Sequence, residues 1–384
     1  MVVGGRHWDG RRMSMFHTSL RTLAPRSKPE IADGAEPHAE SSTLGGVRVA
    51  VPPFVSPHCA YLSSKTPSAA APPADGAGSN RGSSGAARSD WSIGELLRWT
   101  QARFAELGIA EARLDAEHLL AHALGCSRMT LYTEHDRTVD EEPRARFREF
   151  VRRRLAREPV AHIEGKRGFH ALGLELQVDR RVLVPRPETE HLVDWLLEDL
   201  AGNTNARVVD VGTGSGAIAL AVKHARADVE VVAVDVSPDA LAVAQANATR
   251  LESDIIVSRS DLLADVAAGP EGWSAVAANL PYIPSAVIAT LEPEVRLFEP
   301  HQALDGGPDG LDLIRRLLDQ VAQPGVLAPG GAVYLEVGFD QATTVAAMFG
   351  ARGFEAVIRN DYAGIGRIVR GRIAAVVPAR SQPE

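Results

Sequence analysis

An open, mostly parallel α/β sheet covered by helices on both faces, preceded by a small helical domain, is the fold class that this 384-residue sequence predicts. Three observations carry it. A strand passes through Asp210-Val211-Gly212-Thr213-Gly214-Ser215-Gly216-Ala217 into an apolar helix; apolar runs then alternate with helical patterns as far as about Arg359; and residues 90–158 carry helical periodicity with no strand signal.

Residues 1–89 do not read as a folded domain. Ser68 to Arg88 is dominated by Ala, Pro, Gly and Ser, and no apolar period persists, so too little surface is available for burial to offset ordering entropy. This segment holds 10 basic and 6 acidic residues, net +4, which leaves 31 basic and 43 acidic, net −12, for the rest. Arg6, Arg11, Arg12, Arg21 and Arg26 resemble a transit peptide, but a dispensable tail or a start codon set too early is the preferred reading. With 45% hydrophobic residues and no apolar run of membrane-spanning length, the expectation is a cytoplasmic protein without membrane association. Cys59 and Cys126 have no metal-ligand spacing, which fits a reducing compartment. A net −12 outside the tail argues against stable nucleic-acid binding.

From Asp90 the chain turns helical. Leu96, Leu97, Phe104 and Leu107 fit one amphipathic helix ended by Gly108, and Leu114, Ala116, Leu119, Leu120, Ala123 and Leu124 fit another ended by Gly125. A third helix starts near Ser127. A fourth covers Glu142 to Arg157, with Arg152, Arg153, Arg154 and Arg157 as a solvated face. His118 and His122 share a helix face, but no Glu or Cys completes a metal set, and no metal is expected. Residues 159–185, rough alternation from Leu172 to Val178 included, read as a β-hairpin linker to a further domain at 186–384. In Arg186-Pro187-Glu188-Thr189-Glu190, Pro187 suits a first helical turn and the acids suit the positive end of the helix dipole.

Val208 and Val209 lead into the glycine-rich turn, where a sharp strand-to-helix reversal needs positive φ and lets a ligand approach bare backbone. Amides of Gly212, Thr213, Gly214, Ser215 and Gly216 at the helix start can bind polar ligand atoms, with Asp210 at the strand end. The spacing also satisfies a looser dinucleotide fingerprint, so the turn alone leaves the ligand open. Glu230 to Asp235 is a second buried strand; its terminal acid is placed for a ribose diol, or for a helix cap ahead of Ser237-Pro238. A helix at Ala240 to Leu251 and a strand at Ile255 to Val257 precede Ser260-Asp261-Leu262-Leu263. Trp273 to Ala278 is a further strand, ending in Asn279-Leu280-Pro281-Tyr282-Ile283-Pro284 at the carboxyl edge where open α/β sheets bind ligands. A helix from Leu313 to Val321, a strand from Ala332 to Val337, a helix from Gln341 and a last strand near Ala356 to Arg359 follow, and the alternation with an added final pair argues for a seven-stranded sheet.

The ordered pair of glycine turn and Asn279-Leu280-Pro281-Tyr282 resembles the amino-methyltransferases with an Asn/Asp-Pro-Pro-Tyr motif, and within them the HemK-type (PrmC) peptide chain release factor glutamine methyltransferases. Arg113 to Leu120, Arg186 to Glu190, Phe298 to Leu311 and Asp361 to Arg367 are similar to further family segments, so the resemblance spans about Asp90 to Arg372. It implies a class I fold with a Rossmann-like seven-stranded sheet and S-adenosylmethionine as cofactor. It also implies methyl transfer to the side-chain N5 of the glutamine in the Gly-Gly-Gln loop of release factors, with residues 90–158 helping to recognise that partner. By the same resemblance, Asp261 accepts from the adenine amine, Leu262 packs on the ring, and Arg186, Glu188 and Glu190 shape the lip of the donor pocket.

A primary amide nitrogen is a poor nucleophile because its lone pair is delocalised, so it must be aimed without prior deprotonation. The Asn279 side-chain oxygen and the Leu280 carbonyl supply two acceptors for its N–H bonds, Tyr282 packs flat against the amide, and Pro281 stiffens the loop. The family has proline at Leu280 and an acid at Gly366; the Leu280 carbonyl survives that change. A ribosomal-protein glutamine or a nucleic-acid adenine would suit the same geometry, and a non-catalytic donor-binding module is a third reading. The expected state is a monomer.

Overall fold

In the computed structural model the described residues are 90–373. The expectations for residues 1–89, a low-complexity tail or transit peptide, lie outside them.

The front of the described chain is a helical bundle. Helix α1 (Ile93–Glu106) opens with a capping box in which Ser92 and Glu95 satisfy each other's backbone amides. Helix α2 (Ala112–Leu124) ends at Gly125, whose φ of 64° makes the left-handed cap that the sequence predicts. Helices α3 (Arg128–Thr133) and α4 (Glu141–Leu155) complete a core of Ile93, Phe104, Leu119, Leu120, Leu131 and Phe147.

Two expectations for this region change. Of the four arginines expected on a solvated face, Arg152 is exposed as expected, but Arg154 is buried, with Nε on Asp115 at 2.7 Å and Nη1 on Glu294 at 2.9 Å, while Arg157, just past α4, reaches Glu292 and Glu294. The acids that bury them come from other segments of the chain, one of them far along it, so periodicity within α4 could not reveal the pairing. The supposed hairpin also begins later than Pro159. Residues Val160–Glu164 form helix α5, framed by Pro159 and by Gly165 at φ 71°, and only β1 (Lys166–Phe169) and β2 (Leu174–Gln177) pair as antiparallel strands.

Helix α6 (Pro187–Asp199) starts with proline in its first turn, then β3 (Arg207–Val211), α7 (Ala217–Ala225), β4 (Glu230–Asp235), α8 (Pro238–Arg250), β5 (Ile256–Arg259) and β6 (Trp273–Ala278) alternate. After α9 (Pro293–Phe298) and α10 (Asp312–Val321) come β7 (Leu327–Glu336), α11 (Ala342–Gly350), β8 (Phe354–Asn360) and β9 (Gly366–Ile373). The seven-stranded sheet runs β5-β4-β3-β6-β7-β9-β8. Pairings among β3 to β7 are parallel, whereas β9 inserts antiparallel between β7 and β8. One apolar cluster packs α6 and α7 on one face through Leu192, Leu196, Ile218 and Val222; another packs α10 and α11 on the opposite face through Ile314, Leu317, Leu318 and Val345. Strand order reverses at β3 and β6, so the crevice at their carboxyl ends is where this topology places a ligand.

Candidate donor cavity and amide site

The carboxyl ends of β3, β4, β5 and β6 open on a cavity of about 910 Å³, within the range of small-molecule sites. Gly212, Gly214 and Gly216 have φ of 72°, 55° and 86°, so each requires a residue without a side-chain penalty in the left-handed region. A Cβ on Gly212 would lie 3.1 Å from Cδ2 of Leu280, which keeps the turn and the Asn279 loop in direct contact. Asn247 on α8, fully buried, pins the turn: its Nδ2 donates to the carbonyls of Ser215 and Gln177, and its Oδ1 accepts from the Gln177 amide. An Asn inside an amphipathic helix was the only sequence signal for this role.

Each carboxylate oxygen of Asp235 is oriented by backbone, one accepting from the Gly214 amide at 3.0 Å and the other from the Ser237 amide at 2.9 Å. Asp235 lines the cavity, and burial raises its pKa above the ordinary carboxylate value. Ser237 itself caps α8, so the ligand and cap readings of Asp235 are compatible in one geometry. Leu262 also lines the cavity and holds φ 56°, a conformation that costs a non-glycine residue about 1–3 kcal/mol and is found where function constrains the backbone. Asp261 lies beside it at the rim, with Oδ2 taken by Arg316 at 2.6 Å.

Among the sequence candidates, Gly212, Thr213, Gly214, Ser215, Asp235, Asp261, Leu262, Asn279, Leu280 and Pro281 line this cavity together. Asp210 does not. It is fully buried beneath the turn, where Oδ2 accepts from the Thr213 hydroxyl at 2.6 Å and the Ala219 amide at 3.1 Å while Oδ1 has no partner among the described residues. Burial pushes its carboxyl up to about 7. Its contact is with the turn's own framework. Gly216, the cap of α7, and Tyr282, Arg186 and Glu188 also stand outside the lining; Arg186 is held by Glu299 at 2.6 Å, joining the start of α6 to the segment after α9.

At Asn279 the amide orientation is set by Thr189, whose Oγ1 accepts from Nδ2 at 3.1 Å and donates to Glu336 Oε2 at 2.6 Å. That use of Nδ2 leaves Oδ1 as the available acceptor. Leu280 is buried by side chain among Val209, Val211 and Leu311, and among the described residues no group donates to its carbonyl. The leucine thus fills core volume, and the residue's carbonyl acceptor is retained. The loop is braced behind: Gln341 Nε2 donates to the Tyr282 carbonyl at 2.9 Å, and Gly310, at φ 78°, packs so close that a Cβ would meet that oxygen at 2.2 Å. Tyr282's hydroxyl stands 3.5 Å from Glu336, and burial shifts its pKa upward. Thr189, Glu336, Gln341 and Asn247 are the residues sequence reasoning missed. At Gly366 the space is tight, since a Cβ there would lie 3.0 Å from both Ala342 Cβ and Ile358 Cγ2.

The parallel sheet with its antiparallel β9, the glycine turn and the acid closing β4 define a class I S-adenosylmethionine-dependent methyltransferase. A family model described as "Methyltransferase small domain" matches residues 190–283, and one described as "PrmC N-terminal domain" matches residues 95–165. The release factor glutamine methyltransferase of Geobacter sulfurreducens is 40% identical over 284 residues, covering 74% of this chain and 97% of that protein. Those of Caulobacter vibrioides, 41% identical with 66% of this chain and 88% of that protein covered, and Deinococcus radiodurans, 40% identical with 73% and 98% covered, are similar to it also. The chain belongs to the release factor glutamine methyltransferase family.

Proposed function

We propose that this chain methylates the side-chain N5 of the glutamine in the Gly-Gly-Gln loop of peptide chain release factors, using S-adenosylmethionine. The observation that carries the reading is the Asn279 amide, whose Nδ2 is committed to Thr189 so that Oδ1 can accept. The cavity fits the cofactor: bare amides of the turn, an acid fixed by two backbone donors where a ribose diol belongs, and Leu262 for a flat base. Gly212, Thr213, Gly214, Ser215, Asp235, Asp261 and Leu262 would hold it, and bound there it supplies an electrophilic methyl carbon on a sulfonium.

Asn279 Oδ1 and the Leu280 carbonyl bind the two N–H bonds of the target amide and turn its nitrogen toward the cavity. Both acceptors are neutral, and their dipoles favour positive charge as it builds on that nitrogen. Tyr282 packs on the amide plane. No base is required before attack, because the proton leaves after the nitrogen has become cationic and acidic.

We read residues 90–158 as the release-factor recognition domain, 159–185 as the linker and 186–384 as the catalytic domain, in a cytoplasmic monomer that forms no stable nucleic-acid complex. Among the described residues no helix is long and apolar enough to cross a membrane. The test is parallel incubation of labelled donor with a release factor, a ribosomal protein and DNA, followed by mass spectrometry. Label on the release-factor glutamine is expected; label confined to ribosomal protein or to adenine would refute the assignment.

A further inference from the structure

Glu336 ends β7 in an otherwise apolar run and is 2% exposed. It does not line the cavity, yet it stands two hydrogen bonds from the group that selects the substrate, through a buried threonine with a single proton to give. An asparagine amide can be turned over with little change in shape, exchanging a donor for an acceptor. For a substrate NH₂ group only one of those two states works.

We propose that Glu336 is a positioning residue for methyl transfer: its carboxylate takes the Thr189 proton, so Thr189 can only accept from Asn279, and Asn279 Oδ1 is left for the target amide. This rests on the reading of Asn279 given under Proposed function. When Glu336 carries a proton, the acid donates to Thr189, the threonine proton turns toward Asn279, and the amide settles with Nδ2 presented to the substrate. Two N–H groups then oppose each other and the target amide is not held.

The surroundings of Glu336 make this switch reachable. From α6, Thr189 lowers its pKa by donating and Glu188 raises it; from the loop after β6, Tyr282 lowers it; from β9, Arg367, itself paired with Asp361, lowers it. Burial outweighs these and pushes the carboxyl up to about 7. The protonated form is the inactive one, so activity rises as pH rises through this value and is level above it.

The experiment measures kcat at saturating donor and release factor from about pH 5.5 to 9, with donor binding followed separately by calorimetry. Saturation matters because Asp210, also pushed up to about 7, lies under the turn and accepts from Thr213, which lines the cavity, so its titration is to be kept out of the kcat profile. The intact enzyme is expected to lose rate about tenfold per pH unit on the acid side. Glu336→Gln should remove that limb and lower the rate at high pH by roughly tenfold, because a neutral amide does not force the threonine proton in one direction. Thr189→Val should likewise give a pH-independent, reduced rate, and it carries the test if the glutamine variant does not fold. Donor affinity should stay within about twofold in Glu336→Gln, since Glu336 does not line the cavity, and the split between kcat and donor affinity is read on that variant. An acid limb that persists in both variants, or full activity in either, would overturn the relay. Asn279→Ala run alongside separates the two levels: if it stays active the underlying reading fails, and if it is inactive while Glu336→Gln keeps the wild-type profile, only the relay fails.

Discussion

Replacing Arg154 by Met keeps the apolar stem of the side chain and removes the charge that ties α4 to Asp115 on α2 and to Glu294 on α9. The Arg154 side chain is 8% exposed, with Asp115 and Glu294 at 13% and 18%, so all three groups are largely out of water. Breaking a buried pair by deleting one partner costs about 3–5 kcal/mol, because the remaining charge stays desolvated. Here the cost is smaller, since Arg157 still meets Glu294 at 2.8 Å. A loss of roughly 2–3 kcal/mol is expected at about pH 8 in urea unfolding.

The sign of the pH dependence follows from Asp115. Burial already raises its pKa against the opposing pull of Arg154, and losing the guanidinium raises it further. A folded-state pKa above the unfolded one gives stability that is present at low pH and lost as pH rises through it. The gap between variant and wild type should therefore shrink toward about 1 kcal/mol near pH 5. A deficit under about 0.5 kcal/mol at both pH values would show that the cluster is solvated after all.

Asn279→Ala should lower kcat by about 10²–10³ while leaving donor affinity nearly unchanged, read by single-turnover methylation and calorimetry; equal loss in both would mean a structural role. Asp235→Ala removes a carboxylate that both organises Gly214 and faces the cavity, so donor binding should weaken by roughly 10–100-fold with the fold intact by circular dichroism. Asp210→Asn keeps an acceptor for Thr213 and Ala219 and abolishes a buried charge. Because the wild-type carboxyl titrates near 7 in the fold and near 3.8 when unfolded, ionisation costs the native state on the order of 4 kcal/mol at high pH. The asparagine variant should gain on wild type in denaturation midpoint as pH rises from about 4 to 8, and a pH-independent difference would contradict the buried charge.

The strands β4 and β6, the glycine turn and the ends of α1 and α2 were legible because their signals are local: apolar runs bounded by breakers, positive-φ positions that only glycine fills cheaply, and caps adjacent in sequence. Boundaries slipped where the signal was shared. Ile255 to Val257 moved to Ile256–Arg259, and Val160–Glu164 became a helix because Pro159 and Gly165 frame a turn too short to show periodicity. Strand β9 was not located, since an antiparallel strand rich in arginine and glycine lacks the apolar run by which buried parallel strands are read.

By itself the sequence determined the order of the elements from α6 to β8, the ligand edge of the sheet and the residues Asn279 to Tyr282 in the loop after β6, but not α5 or β9. Only the tertiary structure decided which polar groups meet: Thr189 with Asn279 and Glu336 across 90 and 147 residues, Arg154 with Glu294 across 140, and Asp210 sealed under the turn instead of lining the cavity. Backbone preference and apolar patterning act between neighbours along the chain. The partner of a buried polar atom is fixed by which distant segments the packed sheet brings within hydrogen-bond reach, and no spacing in the sequence encodes that.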